Sequence, residues 1–366
     1  MKNFIICATR TMRDYASKVI ARLSEFPEFS GFMEQINGIN LLAADLFADG
    51  EMEVTVNSSI RGKDVVIFSS NARNKAGIGV NEAKIELYHA LDALIRCQAG
   101  KIIVFEPFIS SSRSDRTTRR SSVGLWVHLK AISSLGGRHV VTFQLHSDKS
   151  KTMLDPTLCA IDDIPALTLL KKYLCDVYIK TTEKLENEVR NHWAFCSVDA
   201  GGEKLARVFA NSFGAPLVVA HKQRNYSKPN TVESINILSA EPLEGKSLWI
   251  VDDMIDTAGS VEKLIRALAP LKPREINIIA VHALFSPPAA ERLEALSREG
   301  LLSRTIVTDT VCPDSLPHIK GLEIVESAEE AAKVIKAIIN NETMSNLLKT
   351  FNAAAYLEEK NHFTNL

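Results

Sequence analysis

Short runs of β-branched and aromatic residues alternate with segments whose apolar positions recur every three or four residues. The runs at 65–68, 102–105, 140–143, 194–198, 216–220, 248–251, 276–281 and 305–308 read as buried strands. Between two of them, the segment from Ile85 to Cys97 keeps one apolar stripe at helical spacing and predicts a helix with a single buried face. Strand–helix alternation of this kind argues for parallel sheets covered by helices on both sides. The expected fold class is α/β, with a doubly wound parallel sheet occurring twice. Turn-rich material at Asp162-Asp163-Ile164-Pro165 suggests a switch of domain near residue 163, giving domains of 1–163 and 164–342. The remainder, 343–366, is polar at both ends around Phe351 to Tyr356, and reads equally as a short appended helix or a frayed tail.

Length supports this division, because 366 residues exceed what one compact core usually holds. Lys plus Arg (43) and Asp plus Glu (44) nearly cancel, which argues against a general nucleic-acid binder. It leaves room for small anionic ligands, which need only a local basic cluster. The apolar run near the start, Phe4 to Ala8, is too short for a signal-peptide core, and no stretch has the length of a membrane helix. The six cysteines are scattered without a C-x-x-C pair. They read as reduced core residues of a cytoplasmic protein, with no zinc ligand set among them.

The segment richest in chemistry is Leu248-Trp-Ile-Val-Asp252-Asp253-Met-Ile-Asp256-Thr257-Ala258-Gly259-Ser260. It reads as buried strand, acidic pair, small-residue turn and helix. Backbone N–H groups and two hydroxyls at a helix start make a ready anion site. Asp252 and Asp253 fall at the carboxyl end of the strand, where open α/β sheets bind ligands, and suit ribose hydroxyls or a magnesium ion. The same residues also read as an acidic turn with a Ser/Thr helix cap. A competing reading of Gly245-Lys246-Ser247 as the end of a P-loop fails, because Ala240 stands where glycine is required and the triplet precedes its strand.

This segment resembles the phosphoribosyl-diphosphate (PRPP) loop of type I phosphoribosyltransferases and of ribose-phosphate pyrophosphokinases, the PRPP synthetases. Other blocks select the second family. Phe47-Ala-Asp49-Gly-Glu51, followed by Arg61-Gly-Lys-Asp-Val, resembles its F-x-D-G-E and R-G-x-D-V stretch. That resemblance implies that Phe47, Asp49 and Glu51 contact the adenine of ATP; taken alone, the residues read as a hairpin turn. The segment from Phe105 to Arg120 resembles the family's P-Y-x-x-Y-x-R-Q-D-R block and gathers Arg113, Arg116, Arg119 and Arg120. Guanidinium groups suit bidentate phosphate contact, and Arg113 is the position carried over as ATP-binding. Here Ser114 replaces the family's Gln, and serines stand where tyrosines are usual.

His146 matches the histidine of the family's D-L-H, near the ATP phosphates and magnesium, although Gln144 replaces the Asp. Ser197-Val-Asp199-Ala-Gly-Gly202 resembles S-P-D-x-G-G, implying a metal role for Asp199 and close approach of the glycines to pyrophosphate. His221 to Lys228 resembles the flexible catalytic loop, which assigns transition-state stabilisation to Lys222 and Arg224. The stretch 306–310 matches V-T-[ND]-T.

The resemblance implies transfer of the pyrophosphoryl group of Mg-ATP to the C1 hydroxyl of ribose 5-phosphate, giving PRPP and AMP. Asp252, Asp253, Asp256, Thr257, Ala258, Gly259 and Ser260 would hold ribose 5-phosphate, His146 and Asp199 the Mg2+ ion, and Lys222, Arg224 and His146 the reacting phosphates. It also implies a homo-oligomer of dimers or hexamers, with ATP and ribose 5-phosphate as partners and neither nucleic acid nor membrane. A non-catalytic subunit of the same fold is the main alternative. A phosphoribosyltransferase would share the loop without needing the Phe47–Glu51 block. The segment 147–155 departs from the family pattern and suggests altered phosphate and ADP control or altered assembly.

Overall fold

The computed structural model describes residues 3–72, 74, 77–117, 120–223, 234–311 and 318–364. Two compact units are present. The first is built chiefly from Met1–Pro165 with Glu326–Leu348, the second from Ala166–Asp309 with Leu316–Val325 and Lys349–Leu366. The units are therefore not contiguous in sequence, in contrast to the expected segments 1–163, 164–342 and 343–366. The helix Ala328–Asn340 joins the first unit because its apolar face, including Ala331, Ala332 and Ile335, packs with the helix Arg13–Ser24.

The first unit holds a five-stranded parallel sheet in the order β1-β4-β5-β6-β7. These strands are β1 (Phe4–Ala8), β4 (Asp64–Phe68), β5 (Ile102–Glu106), β6 (Gly137–Phe143) and β7 (Ala160–Ile164). A separate antiparallel hairpin joins β2 (Leu42–Leu46) to β3 (Met52–Val56). Side chains alternate along each strand, so Ile5, Cys7, Val65, Ile67, Ile102 and Val104 share one face. They pack with Leu87, Leu91 and Leu94 of the helix Val80–Arg96 and with Leu125, Leu129 and Ile132 of the helix Gly124–Ser134. The opposite face carries Phe68, whose ring lies 5.7 Å from that of Tyr15 on the helix Arg13–Ser24. The predicted turn at Asp162-Asp163 is instead part of β7, the sheet's edge strand. Its two adjacent acids resemble a turn but are bonded within the unit: Asp162 accepts from His139 Nε2 (2.7 Å) and Asp163 from the Leu145 N–H (2.9 Å).

The second unit holds a seven-stranded sheet, ordered β10-β9-β8-β11-β12-β13-β14. Its strands are β8 (Trp193–Ser197), β9 (Leu217–Gln223), β10 (Ser234–Ser239), β11 (Ser247–Ile255), β12 (Glu275–Ala283), β13 (Arg304–Thr308) and β14 (Leu322–Val325). All neighbours are parallel except β9 and β10. One face packs Ala194, Ile250 and Ile278 against Val261, Leu264 and Leu268 of the helix Gly259–Leu268 and Leu293 of the helix Ala289–Arg298. On the other, Phe195 stacks on Phe213 of the helix Glu203–Phe213 (ring centroids 5.4 Å). Helices on both faces of both sheets give two doubly wound α/β units, the fold class the pattern predicts.

The chain runs from β8 outward to β9 and β10, then returns to place β11 on the other side of β8. That reversal makes a crevice between β8 and β11 at their carboxyl ends.

The tail, left open by the sequence, forms the helix Ala353–Thr364. Ala353 and Leu357 are buried, Phe351 lies 6.4 Å from the Phe213 ring, and Tyr356 and Lys360 both bond Asp176. Truncating Phe351 removes most of this anchor. Phe351→Ala is expected to lower the second unit's stability by about 3 kcal/mol, read as an earlier denaturation transition of the full chain.

Candidate active site

In the second unit the acidic pair and the small-residue loop emerge beside the β8–β11 crevice. Strand β11 runs to Ile255 rather than stopping at the predicted Val251, because Met254 and Ile255 are buried and continue the pairing with His282 and Ala283. Asp252 and Asp253 are therefore strand residues. Successive strand side chains point to opposite faces, yet the Asp253 N–H donates to Asp252 Oδ1 at 2.9 Å. Burial, then the charge of Asp253, raises the proton affinity of Asp252 well above the ordinary carboxylate range, and Asp199 adds to it.

Asp199 stands just past β8. Its Oδ1 accepts from the N–H groups of Gly201 (2.9 Å) and Gly202 (3.1 Å). The expected use of these glycines is approach to pyrophosphate; here their N–H groups are bound to the aspartate and fix its carboxylate at the crevice. On the far side of β8, β9 carries Lys222 near its carboxyl end. Asp199, Lys222 and the loop after β11 thus belong to three adjacent parallel strands. Arg224 lies outside the described residues.

The loop from Asp256 to Ser260 turns through Ala258, which has φ +57°. A left-handed conformation costs a residue with a Cβ roughly 1–2 kcal/mol, so the surroundings must hold it. Two contacts do so. The Ala258 carbonyl accepts from the Glu262 N–H (2.9 Å), and the Thr257 carbonyl accepts from Arg292 Nη1 (2.9 Å). The buried side chain of Ala258 packs among the residues of the helix face beneath the sheet. Thr257 and Ser260 are exposed at the start of the helix Gly259–Leu268. Arg292 escapes the sequence reading, since nothing in its helical spacing separates it from an ordinary surface arginine. Farther along the sheet, the Thr308 hydroxyl donates to the Val281 carbonyl (2.7 Å), which is a structural use of the V-T-[ND]-T stretch.

In the first unit, Arg113 and His146 follow β5 and β6, neighbouring strands in parallel register, and both are exposed at the carboxyl edge of that sheet. Arg116 and Arg120 share the exposed Arg113 segment, while Arg119 lies outside the described residues. Phe47, Asp49 and Glu51 sit together at the tip of the β2–β3 hairpin. There the Phe47 N–H donates to the Glu51 carbonyl (2.8 Å), and the Glu51 N–H donates to Asp49 Oδ1 (3.1 Å). Phe47 is 53% exposed, an uncommon setting for an aromatic and one that leaves its ring open to stacking.

The segment leading to Arg113 is anchored from below. Glu106, fully buried at the end of β5, accepts from Asn71 Nδ2 and from His128 Nε2 (2.8 Å), and the Tyr88 hydroxyl meets His128 Nδ1 at 2.8 Å. The Tyr88 hydroxyl donates to Nδ1, which leaves the ring proton on Nε2, facing Glu106. Burial and the Glu106 charge push the Tyr88 hydroxyl up to about 12, which keeps it a donor. Ser114, the departure from the family's Gln, accepts the Gly124 N–H on its Oγ (2.9 Å) and the Leu125 N–H on its carbonyl (3.2 Å). Its side chain therefore ties the Arg113 segment to the start of the helix Gly124–Ser134.

Residues 4–136 match the N-terminal domain of ribose phosphate pyrophosphokinase, and residues 176–297 match the phosphoribosyl transferase domain. The ribose-phosphate pyrophosphokinase of Fusobacterium nucleatum is 30% identical over 313 residues, spanning 85% of this chain and 91% of the relative. The chain belongs to the ribose-phosphate pyrophosphokinase family. A second family member, from Wolinella succinogenes, is 29% identical over 330 residues, covering 88% of this chain and 96% of its own. The crystal structure of phosphoribosylpyrophosphate synthetase from Mycobacterium smegmatis superposes with a TM-score of 0.77 at 25% identity, over 93% of this chain and all of that one. The family fold thus extends through both units. No helix among the described residues is long and apolar enough to cross a membrane.

The proton affinity of Asp252 has a consequence for stability. A carboxyl group whose folded-state affinity is raised loses native stability as pH climbs from the usual carboxylate range through the raised value. Asp252→Asn is therefore expected to melt above the unsubstituted chain at neutral pH in metal-free buffer. The difference should shrink on acidification toward about pH 4, where an ordinary aspartate also binds its proton. Thermal unfolding midpoints followed against pH measure it; a gap that does not change with pH would refute the electrostatic account.

Proposed function

We propose that the chain transfers the β,γ-pyrophosphoryl group of ATP to the C1 hydroxyl of ribose 5-phosphate, releasing AMP and PRPP. The observation that carries this reading is the second unit's crevice, where a small-residue loop at a helix start, an acidic pair and Asp199 come together beside the strand of Lys222. The 5-phosphate sits on the loop Asp256–Ser260, held by backbone N–H groups and the Thr257 and Ser260 hydroxyls. Asp252 and Asp253 accept from the ribose hydroxyls and orient C1 toward the polyphosphate. In the first unit, Phe47 stacks on adenine, while Asp49 and Glu51 lie within the same hairpin tip to accept its exocyclic amine. Arg113 and His146 meet the ATP phosphates.

Magnesium fits the donor chemistry of the crevice. Hard carboxylate oxygens are its preferred ligands, and a divalent cation would offset the burial and the neighbouring charge that raise the Asp252 affinity. Asp199 would hold the ion with the substrate phosphates in the second unit; His146, in the first unit, keeps the role toward Mg-ATP that the family resemblance implies. Once bound, Mg2+ neutralises charge on the phosphates. The chain's own residues then position the two substrates in line and exclude competing geometries.

Lys222 and Arg224 stabilise charge that develops on the transferring group. Such a contact acts mainly in the transition state, so Lys222→Ala is expected to lower kcat by about 10²–10³ with much smaller changes in either KM. Near-normal turnover would remove Lys222 from the mechanism. The defining assay is AMP release from ATP, expected only when both ribose 5-phosphate and Mg2+ are supplied. AMP release independent of ribose 5-phosphate would overturn the reading.

A further inference from the structure

The Thr257–Ala258 peptide lies at the bend of the phosphate loop, and its orientation decides whether the loop attracts or repels an anion. In a trans peptide the carbonyl and N–H point in opposite directions. Here the carbonyl accepts from Arg292 Nη1 at 2.9 Å, so the Ala258 N–H is directed away from the guanidinium. The other side of the guanidinium is also held, with Nε 3.3 Å from Oε2 of Glu262 on the helix that the loop opens. A side chain at position 259 would interfere, because a Cβ there would lie 2.8 Å from Arg292 Nη1. The glycine therefore makes room for arginine from a different helix, Ala289–Arg298.

We infer that Arg292 is a positioning residue that locks the Thr257–Ala258 peptide in its anion-receiving orientation. The flipped peptide would press its N–H against the guanidinium and turn its carbonyl toward the incoming phosphate, two repulsive contacts in place of two attractive ones. The guanidinium also places a fixed positive charge behind a loop whose neighbours, Asp252, Asp253 and Asp256, are acidic. Alanine at 258 needs this support, since its left-handed backbone is disfavoured for any residue bearing a Cβ. The inference rests on the loop's being the ribose 5-phosphate site.

The test uses the full-length enzyme carrying Arg292→Met, Arg292→Lys or Gly259→Ala, with ribose 5-phosphate and ATP varied separately and ribose 5-phosphate binding titrated by calorimetry. Loss of a positioning contact should raise both KM and Kd for ribose 5-phosphate about tenfold or more in Arg292→Met, with the ATP KM held within about twofold. Arg292→Lys, which keeps a donor, should recover part of the loss. Gly259→Ala should reproduce the Arg292→Met effect, and the double variant should be no worse than the weaker single. Unchanged ribose 5-phosphate binding, equal rises in both KM values, or additive effects in the double variant would each overturn the proposal. If Arg292→Met fails to fold, Arg292→Lys and Gly259→Ala carry the same comparison. Ser260→Ala separates the two layers of the argument. Ribose 5-phosphate binding indifferent to that substitution defeats the loop assignment. Weakened binding there with normal binding in Arg292→Met defeats only the role of Arg292.

Discussion

Where β8 and β11 lie side by side, the chain leaves them in opposite directions, and neither connection closes the gap at their carboxyl ends. Parallel strands put every such end on one edge, so the carboxyl ends of β8, β9 and β11 lie along the same rim. Asp199 stands just past the first, Lys222 near the end of the second, and Asp252 to Ser260 run from the end of the third into the loop beyond it. These positions are far apart in sequence. The strand order makes them neighbours, and the core beneath, with Ile250 and Ile278 packed against Leu264 and Leu293, keeps the order rigid.

Electrostatics then distributes the work along that rim. Burial and the neighbouring charge of Asp253 raise the proton affinity of Asp252, and the loop just beyond is the one proposed to take an anion. The arrangement suits a substrate that carries hydroxyls at one end and a phosphate at the other. The first unit solves a different problem. Its arginine segment is exposed, so its conformation must be imposed from the interior, and Glu106, His128, Tyr88 and Asn71 form a paired network under its start. A buried carboxylate is costly unless its oxygens are bonded, and both Glu106 oxygens are. Ser114 holds the same segment from the other side.

Much of the fold was legible because both sheets are buried on both faces. Strands β4, β5 and β8 are almost wholly apolar, and β6, β11 and β12 carry apolar runs within them. The reading failed where burial is one-sided or partial. Strand β7 carries Asp162 and Asp163 at a sheet edge and looked like a turn, and β11 continued past its apolar run because neighbouring β12 supplied pairing partners. The tail was ambiguous for a related reason. Its helix has no strong apolar stripe of its own, and is held by Phe351, Leu357 and the bonds of Tyr356 and Lys360 to Asp176.

The loop Asp256–Ser260 marks the boundary between the two kinds of information. Its residue types and its place after a buried strand determined that it could receive a phosphate, since small residues at a helix start expose N–H groups whatever surrounds them. Which way the Thr257–Ala258 peptide faces was not determined locally, because the left-handed backbone at Ala258 is disfavoured in an isolated chain and has to be held from elsewhere. Arg292 decides it from a helix more than thirty positions later, and Gly259 gives that arginine access. The same holds for Asp199 beside Asp252: the sequence alone assigned the carboxylates to chemistry, but only the strand order brought their charges together, and Coulomb interactions depend on distance in space.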